Sequence, residues 1–264
     1  MSTHTFAKDS CIVLLVFIAL IITSCSAQAP TSAPNPTAIS TSIPSPAPTI
    51  KATNTATLTP TAIPGFEDWS VFNPGAVDIQ SENGSLILTL TRHALWFMQQ
   101  RGVLVYKPVS GNFKITADVH SAKHSDLTKL PGGDGSVQLG GLMARNGNGG
   151  QENYVFIVVG DDGDGLSIET KNTTQGLSKF NGPAWDSADA ELRLCRVGQT
   201  FNLYQRHVNT RETWVLATAY DRPDLPNDLQ VGVNIYTDGT PDLQIRYDNI
   251  KIESVTSLDE CTNN

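Results

Sequence analysis

From Gly65 onward, the chain of 264 residues has no stretch in which apolar side chains recur with a helical period. It also has no run of basic residues, and its formal net charge at pH 7 is −8. Nucleic-acid and anionic-lipid binding surfaces need a basic cluster, which this sequence does not provide. These absences exclude a helical bundle and argue against nucleic acid as a partner.

Cysteine is also scarce, with four residues in the chain. Cys11 begins an apolar segment that ends at Ile22, as long as a signal-peptide core but shorter than the roughly 20 residues of a membrane span. The sequence Ile22-Thr23-Ser24-Cys25 then resembles the lipobox of bacterial lipoproteins. The resemblance predicts a lipoprotein signal peptide over residues 1–24, with Cys25 acylated and the protein anchored on the extracytoplasmic face of the cell membrane. The alternative is a secretory peptide cut near Ala27 or Ala29.

Two cysteines, Cys195 and Cys261, remain for an exported domain, where disulfides persist. Cys195 falls on the strand face that carries Glu191 and Arg193, away from the main core. Cys261 lies in a polar tail, residues 257–264, that a bridge would hold in place. We predict a disulfide between them; the alternative is a buried Cys195 and a free Cys261.

Residues 25–64 are rich in Pro, Thr, Ser and Ala, and Lys51 is their single charged residue. No apolar period is visible, so the segment has no face to bury. Closely spaced prolines favour an extended polyproline II conformation. We predict a disordered linker that holds the following domain away from the membrane.

Residues 65–256 read as short β-rich runs separated by Gly, Asn, Asp and Pro. The stretch Gly140–Lys171 sets the pattern, with strands joined by the polar turns Asn146–Gly150 and Asp161–Gly165. Alternating apolar and polar positions, as in Phe113–His120, predict strands with one face in a core. We predict an all-β fold, an antiparallel two-sheet sandwich. The candidate strands are Val77–Gln80, Ser85–Thr91, Val103–Tyr106, Phe113–His120, Val137–Arg145, Tyr154–Val159, Leu166–Lys171, Glu191–Val197, Phe201–Arg206, Trp214–Tyr220, Leu229–Tyr236 and Leu243–Glu253.

The order of these signals resembles the concanavalin A-like lectin and glucanase superfamily, and within it the laminin-G-like bacterial modules. The segments that carry the resemblance are Gly65–Trp69, Asn83–Leu86, Gly102–Tyr106, Val109–Phe113, Gly141–Arg145, Asn153–Val155, Leu192–Leu194, Gly198–Phe201, Trp214, Val231–Val233 and Tyr247–Ile252. The resemblance implies a jelly-roll of two curved sheets whose concave face often binds sugars. Fold alone does not settle function.

The glucanases of this superfamily carry a Glu-x-Asp-x-x-Glu strand motif, which this chain lacks. Asp186–Glu191 has the wrong spacing, so no catalytic residue is predicted. We therefore expect a non-catalytic carbohydrate-binding module, with a structural or protein-interaction domain as the alternative and a glycoside hydrolase with an unrecognised site as the third reading. Sugar sites combine aromatic rings with polar side chains. The candidate glycan-binding residues are Trp96, Arg145, Trp185, Arg193, Asn234 and Tyr236.

The turn aspartates Asp161, Asp162 and Asp164 offer hard oxygen ligands of the kind that calcium prefers. Their spacing does not match an EF-hand loop. The alternative is that they serve only the geometry of the turn. Calcium is thus the one cofactor that the sequence raises, and the sequence leaves the oligomeric state open.

Overall fold

The computed structural model of the protein describes residues 62–263. This part of the chain contains fourteen strands and two short 3₁₀ helices, Pro74–Ala76 and Asp259–Cys261. The predicted signal peptide, Cys25 and almost all of the predicted linker lie outside the described residues. Within the described part, no helix is long and apolar enough to cross a membrane.

The strands form two seven-stranded sheets, in which every pairing is antiparallel. The first sheet, in spatial order, contains β1 (Ser70–Phe72), β4 (Val103–Ser110), β13 (Asp228–Thr237), β6 (Val137–Arg145), β7 (Tyr154–Asp162), β8 (Leu166–Thr174) and β9 (Leu177–Asn181). The second sheet contains β12 (Val215–Asp221), β11 (Thr200–Arg206), β10 (Asp189–Val197), β5 (Phe113–Ala122), β14 (Gln244–Ser254), β3 (Ser85–Leu90) and β2 (Val77–Glu82). This is the two-sheet jelly-roll sandwich that the sequence predicts.

The main core lies between the sheets and follows from the period-two alternation of the strands. In β5, Phe113, Ile115, Ala117 and Val119 are buried, and the residues between them face outward. β13 buries Val231, Val233 and Ile235 in the same core. The strands predicted over these segments therefore have the predicted inner faces.

A second apolar cluster covers the outer face of the first sheet. β7 sends Val155, Ile157 and Val159 into the main core and Tyr154, Phe156 and Val158 into this second cluster. Residues 91–102, hereafter the covering segment, close over it. Its Trp96 is fully buried against Tyr154, with ring centroids 5.4 Å apart. Burial on both faces explains why Tyr154–Val159 is almost continuously apolar.

The covering segment is fixed by backbone and side-chain contacts. Trp96 Nε1 donates a hydrogen bond to the Val103 carbonyl at 3.1 Å, and the Thr237 N–H donates to the Ala94 carbonyl at 2.8 Å. A Cβ atom at Gly102 would lie 2.4 Å from the Trp96 ring, so this close approach requires glycine. The segment is therefore an integral layer of the fold.

A disulfide joins Cys195 in β10 to Cys261 in the second 3₁₀ helix, with the Cα atoms 5.8 Å apart. It lies in a third, small apolar cluster with Tyr204, Trp214 and Val255 on the outer face of the second sheet. The bridge thus attaches the C-terminal tail to a sheet face that is separate from the main core.

Candidate functional site

The structure divides the six candidate glycan-binding residues between the two sheets. Four of them lie on the outer side of the first sheet, and none of these four is a free surface residue: Trp96, Arg145, Asn234 and Tyr236. Trp96 belongs to the covering segment and is fully buried against the sheet, so it does not present its ring to a glycan. Asn234 is also fully buried, and its side-chain oxygen and nitrogen have no hydrogen-bond partner among the described residues.

Arg145 is committed to an internal ion pair. Its Nε donates to Glu152 Oε2 at 2.7 Å and its Nη2 donates to Glu152 Oε1 at 2.8 Å. Its guanidinium lies 4.2 Å from the centroid of the Phe72 ring. A fork-on-fork pair buried under an aromatic ring stabilises a fixed geometry, so Arg145 is not available to a glycan.

Arg193 and Trp185 also have structural roles. Arg193 Nη1 donates to the carbonyls of Cys261 at 2.7 Å and Asn263 at 2.9 Å, and its guanidinium lies 4.0 Å from the Trp214 ring. Burial lowers the pKa of Arg193 to about 10. Trp185 stacks on His207 at 4.4 Å and donates to the Asp189 carbonyl. These contacts hold the tail and a loop in place.

The three turn aspartates do not converge on one point. Asp161 and Asp162 are consecutive in β7, so their side chains lie on opposite faces of the sheet. Asp161 Oδ1 accepts the Gly163 N–H at 2.7 Å, and Asp162 Oδ1 accepts the Asp164 N–H at 3.1 Å. Across residues 62–263, no three or more His, Cys, Asp or Glu side chains are arranged to hold a metal ion. The described geometry assigns the aspartates to the turn.

An open cleft lies on the outer face of the first sheet, beside the edge of the covering segment. Its volume is about 530 Å³, and we call it the aromatic cleft. Its lining includes three predicted site residues, Asp162, Asp164 and Tyr236, which the fold brings together. The complete lining is Leu95, Phe97, Val137, Asp162, Asp164, Glu169, Lys171, Phe180, Gly182, Tyr236 and Asp238.

The floor of the aromatic cleft is a rigid polar network. The Tyr236 hydroxyl donates to Glu169 Oε1 at 2.8 Å, and Lys171 Nζ lies 3.0 Å from the same oxygen. Lys171 also donates to the Trp96 carbonyl at 2.9 Å. Burial lowers the pKa of Lys171, whereas Glu169 opposes this effect. Burial, assisted by Glu169, raises the pKa of Tyr236 well above its usual range, so its hydroxyl stays neutral.

Aromatic rings surround the Lys171 ammonium. It lies 5.0 Å from the centroid of Phe156, 5.2 Å from Tyr236, and 5.4 Å from both Phe97 and Phe180. Phe97 and Phe180 meet edge to face, with centroids 6.4 Å apart. Phe180 is 60% exposed, so it presents an aromatic surface to solvent beside the polar floor.

Sequence reasoning missed Glu169, Lys171 and Phe180 as parts of one site. Glu169 and Lys171 alternate with the inner residues of β8, and this alternation alone places them on one outer face. Phe180 lies in β9, a short edge strand in which three of the five residues are polar: Ser178, Lys179 and Asn181. No local signal shows that the covering segment leaves this part of the sheet open.

A second face, on the outer side of the second sheet, carries charge without exposed rings. A row of three carboxylates crosses this face, with Glu191 on β10 and Asp248 on β14 both in register with Asp118 on β5. Burial, together with the neighbouring Glu191 and Asp248, raises the pKa of Asp118, although Asn249 donates to it at 2.7 Å. The cleft over this row, about 510 Å³, has no aromatic side chain in its lining.

No protein-family model matches the chain, and no curated protein matches it. Among solved structures, a functionally unknown protein from Saccharomyces cerevisiae aligns with TM-score 0.58 and 14% identity, over 72% of this chain and 98% of the other. The GH43 BlXynB protein of Bacillus licheniformis aligns with TM-score 0.52, 12% identity and 72% coverage of this chain, and a xylan β-1,4-xylosidase of Bacillus halodurans with 0.50, 14% and 69%. This chain spans only 37% and 35% of those two proteins.

At these identities the similarity concerns the fold alone. Together with the strand order, it makes the domain a two-sheet jelly-roll sandwich.

Proposed function

We propose that this protein is a non-catalytic carbohydrate-binding module whose binding site is the aromatic cleft. The observation that carries the proposal is the exposed ring of Phe180, which stands beside the fixed network of Glu169, Lys171 and Tyr236. A sugar ring has an apolar face that packs on an aromatic side chain and hydroxyls that bond to polar groups. The cleft offers both within one concave space.

The rigidity of the floor favours binding, because its groups do not need to be ordered when a ligand arrives. Glu169 already accepts two hydrogen bonds, so its carboxylate is oriented, and Lys171 is held by the Trp96 carbonyl. The GH43 protein and the xylosidase are much longer chains, so their activity is not transferred to this protein. The proposal depends on the cleft itself.

A glycan array probed with the full-length protein tests this function, with Phe180→Ala as the key variant. We expect wild type to bind at least one glycan class and Phe180→Ala to bind it at least about tenfold more weakly. Leu177→Ala is the matched control, because Leu177 is 69% exposed on the same strand but does not line the cleft. Wild-type binding to no glycan, or equal binding by Phe180→Ala, would sink the proposal.

For localisation, we propose a lipid anchor at Cys25, with residues 25–64 as a spacer that displays the domain on the extracytoplasmic face of the membrane. The support is the apolar segment followed by Ile22-Thr23-Ser24-Cys25, and the Pro- and Thr-rich stretch after it. Intact-mass analysis of the membrane fraction should show a chain that begins at an acylated Cys25. An unmodified Cys25 in the mature protein would rule the anchor out.

The alternative function is a structural or protein-interaction domain, and exposed apolar residues at the edge strand β9 favour it. Met98, Leu177 and Phe180 are 46%, 69% and 60% exposed, and the Met98 N–H donates to Ser178 Oγ. Such a group of side chains is also typical of a protein contact. Equal loss of a partner protein's binding in Leu177→Ala and Phe180→Ala, without glycan binding, would support this reading.

A hydrolase is the third candidate, and the carboxylate row over Asp118 favours it. A raised pKa is what a general acid needs, and Glu191 and Asp248 flank it on neighbouring strands. Incubation with β-glucans and xylan, followed by assay of reducing ends, decides this case. Release of reducing ends that Asp118→Asn abolishes would replace the non-catalytic proposal.

A further inference from the structure

The aromatic cleft has more negative than positive charge. Asp162, Asp164 and Asp238 line it, and none of them forms an ion pair with another described residue. The one cation of the lining, Lys171, is paired with Glu169, and its side chain is only 4% exposed. The rim therefore presents carboxylates that the fold itself leaves unbalanced.

The rings next to these carboxylates add a second preference. The faces of Phe97 and Phe180 attract cations as well as apolar surfaces. Lys171 shows this attraction inside the protein, since its ammonium lies near four rings. A ligand that carries both an apolar ring face and a positive charge would satisfy the rings and the rim together.

A buried hydroxyl gives a third, independent observation. Ser167 Oγ is buried and has no hydrogen-bond partner among the described residues, although a buried hydroxyl normally has one. A Cβ atom built at Gly182, which lines the cleft, would lie 3.3 Å from Asp162 Oδ2 and 3.7 Å from Ser167 Oγ. The space beside this hydroxyl and carboxylate suits a polar ligand group.

We propose that the aromatic cleft selects glycans that contain unacetylated amino sugars. The protonated amino group that such a sugar carries on its ring is drawn to Asp162 and Asp164, while the sugar face packs on Phe180. This inference rests on the proposed carbohydrate-binding function and names its ligand class. A divalent cation is a poorer fit, because residues 62–263 provide no convergent set of three ligands.

The test compares three β-1,4-linked hexasaccharides of glucose, N-acetylglucosamine and glucosamine, measured by calorimetry with the full-length protein. The three ligands share the same β-1,4-linked sugar chain and differ in the substituent at one ring position. The charge of that substituent is therefore the main difference between them. The titrations are run at about pH 5.5, where an aliphatic amine is protonated. We expect the glucosamine hexasaccharide to bind at least about tenfold more tightly than the other two, and added salt to weaken it.

Substitutions locate the effect. Asp164→Asn should remove most of the preference for the glucosamine hexasaccharide, because it removes a carboxylate from the cleft. Asp164 is exposed, and the hydrogen bond that its backbone N–H donates in the turn is kept by asparagine. Asp78→Asn is the matched control, since Asp78 is an exposed acid on β2 of the other sheet and causes the same change in net charge. Gly182→Ala should weaken binding of all ligands, because the added Cβ atom would lie 3.7 Å from Ser167 Oγ and 3.3 Å from Asp162 Oδ2, close enough that the Asp162 carboxylate has to shift.

Three results would overturn the inference. Equal or tighter binding of the glucose or N-acetylglucosamine hexasaccharide would refute the amine preference and leave the carbohydrate-binding function standing. Equal losses in Asp164→Asn and Asp78→Asn would show attraction to net charge rather than to the cleft. If none of the three hexasaccharides binds, the inference fails, and the glycan array decides the broader function independently.

Discussion

At the scale of single residues, the ionisable groups of the two outer faces are held in different states. In the aromatic cleft, Lys171 is buried and its pKa is lowered. On the second sheet, His120 lies 3.3 Å from Asp189 and 3.5 Å from Asp248, and the hydrogen bond to Asp189 raises its pKa, against the effect of burial. The outward face of a β-strand can thus hold a residue whose pKa is lowered, such as Lys171, or one whose pKa is raised, such as His120.

His120→Gln tests this assignment through the pH dependence of stability. Because the folded-state pKa of His120 is raised above its unfolded value of about 6.5, its charged form stabilises the fold below that pH, and the contribution is lost as pH rises through the folded-state pKa. The difference in unfolding free energy between wild type and variant, measured with urea, should therefore be largest below about pH 6 and should fall as pH rises through the folded-state pKa of His120. A difference that grows as pH rises would contradict the raised pKa.

At the scale of elements, the covering segment adds a third layer to the two-sheet sandwich, on the outer face of the first sheet. The sequence predicts β6 over Val137–Arg145 with the observed bounds, because the apolar run that marks this strand can be read from neighbouring residues alone. It does not predict β1 or β9, which are short edge strands, or the burial of Trp96. That burial depends on contacts between Trp96 and strands distant in sequence, such as the contact with Tyr154, so no local pattern encodes it.

Trp96→Ala measures how much the covering segment contributes. Removal of a fully buried tryptophan typically costs about 3–5 kcal/mol, and this variant also leaves the Val103 carbonyl without its side-chain donor. The unfolding midpoint in urea should fall accordingly. Met98→Ala, in the same segment but 46% exposed, should change stability by no more than about 0.5 kcal/mol. Equal effects of the two substitutions would mean that the segment is not packed as described.

The same limit explains how much of the candidate site could be read from the sequence. Asp162, Asp164 and Tyr236 could be proposed because turn chemistry and strand alternation are local. The pairing of Tyr236 with Glu169 could not, because it joins β13 to β8 across β6 and β7. Arg145, Arg193 and Trp185 have the residue types of a sugar site, but their partners in the fold occupy them.

At the scale of the whole molecule, the disulfide and the tail complete the second sheet. The bridge closes a loop with a sequence separation of 66, and the tail carbonyls of Cys261 and Asn263 hold Arg193. The double variant Cys195→Ala/Cys261→Ser should lower the unfolding free energy by about 2–4 kcal/mol, since the cross-link restricts the unfolded chain. Thiol titration of the native wild-type protein should find neither cysteine. An unchanged urea midpoint would show that the bridge does not stabilise the fold.

The central claim is that the aromatic cleft binds a glycan, and amide chemical-shift mapping by NMR tests it most directly. The isotope-labelled full-length protein is titrated in turn with the glucose, N-acetylglucosamine and glucosamine hexasaccharides. The account predicts saturable shifts, strongest with the glucosamine hexasaccharide, that cluster at the amides of Asp164, Phe180, Gly182 and Tyr236. Shifts that cluster around Thr116, Asp118 and Lys251 on the second sheet, or no saturable shift with any of the three, would contradict it.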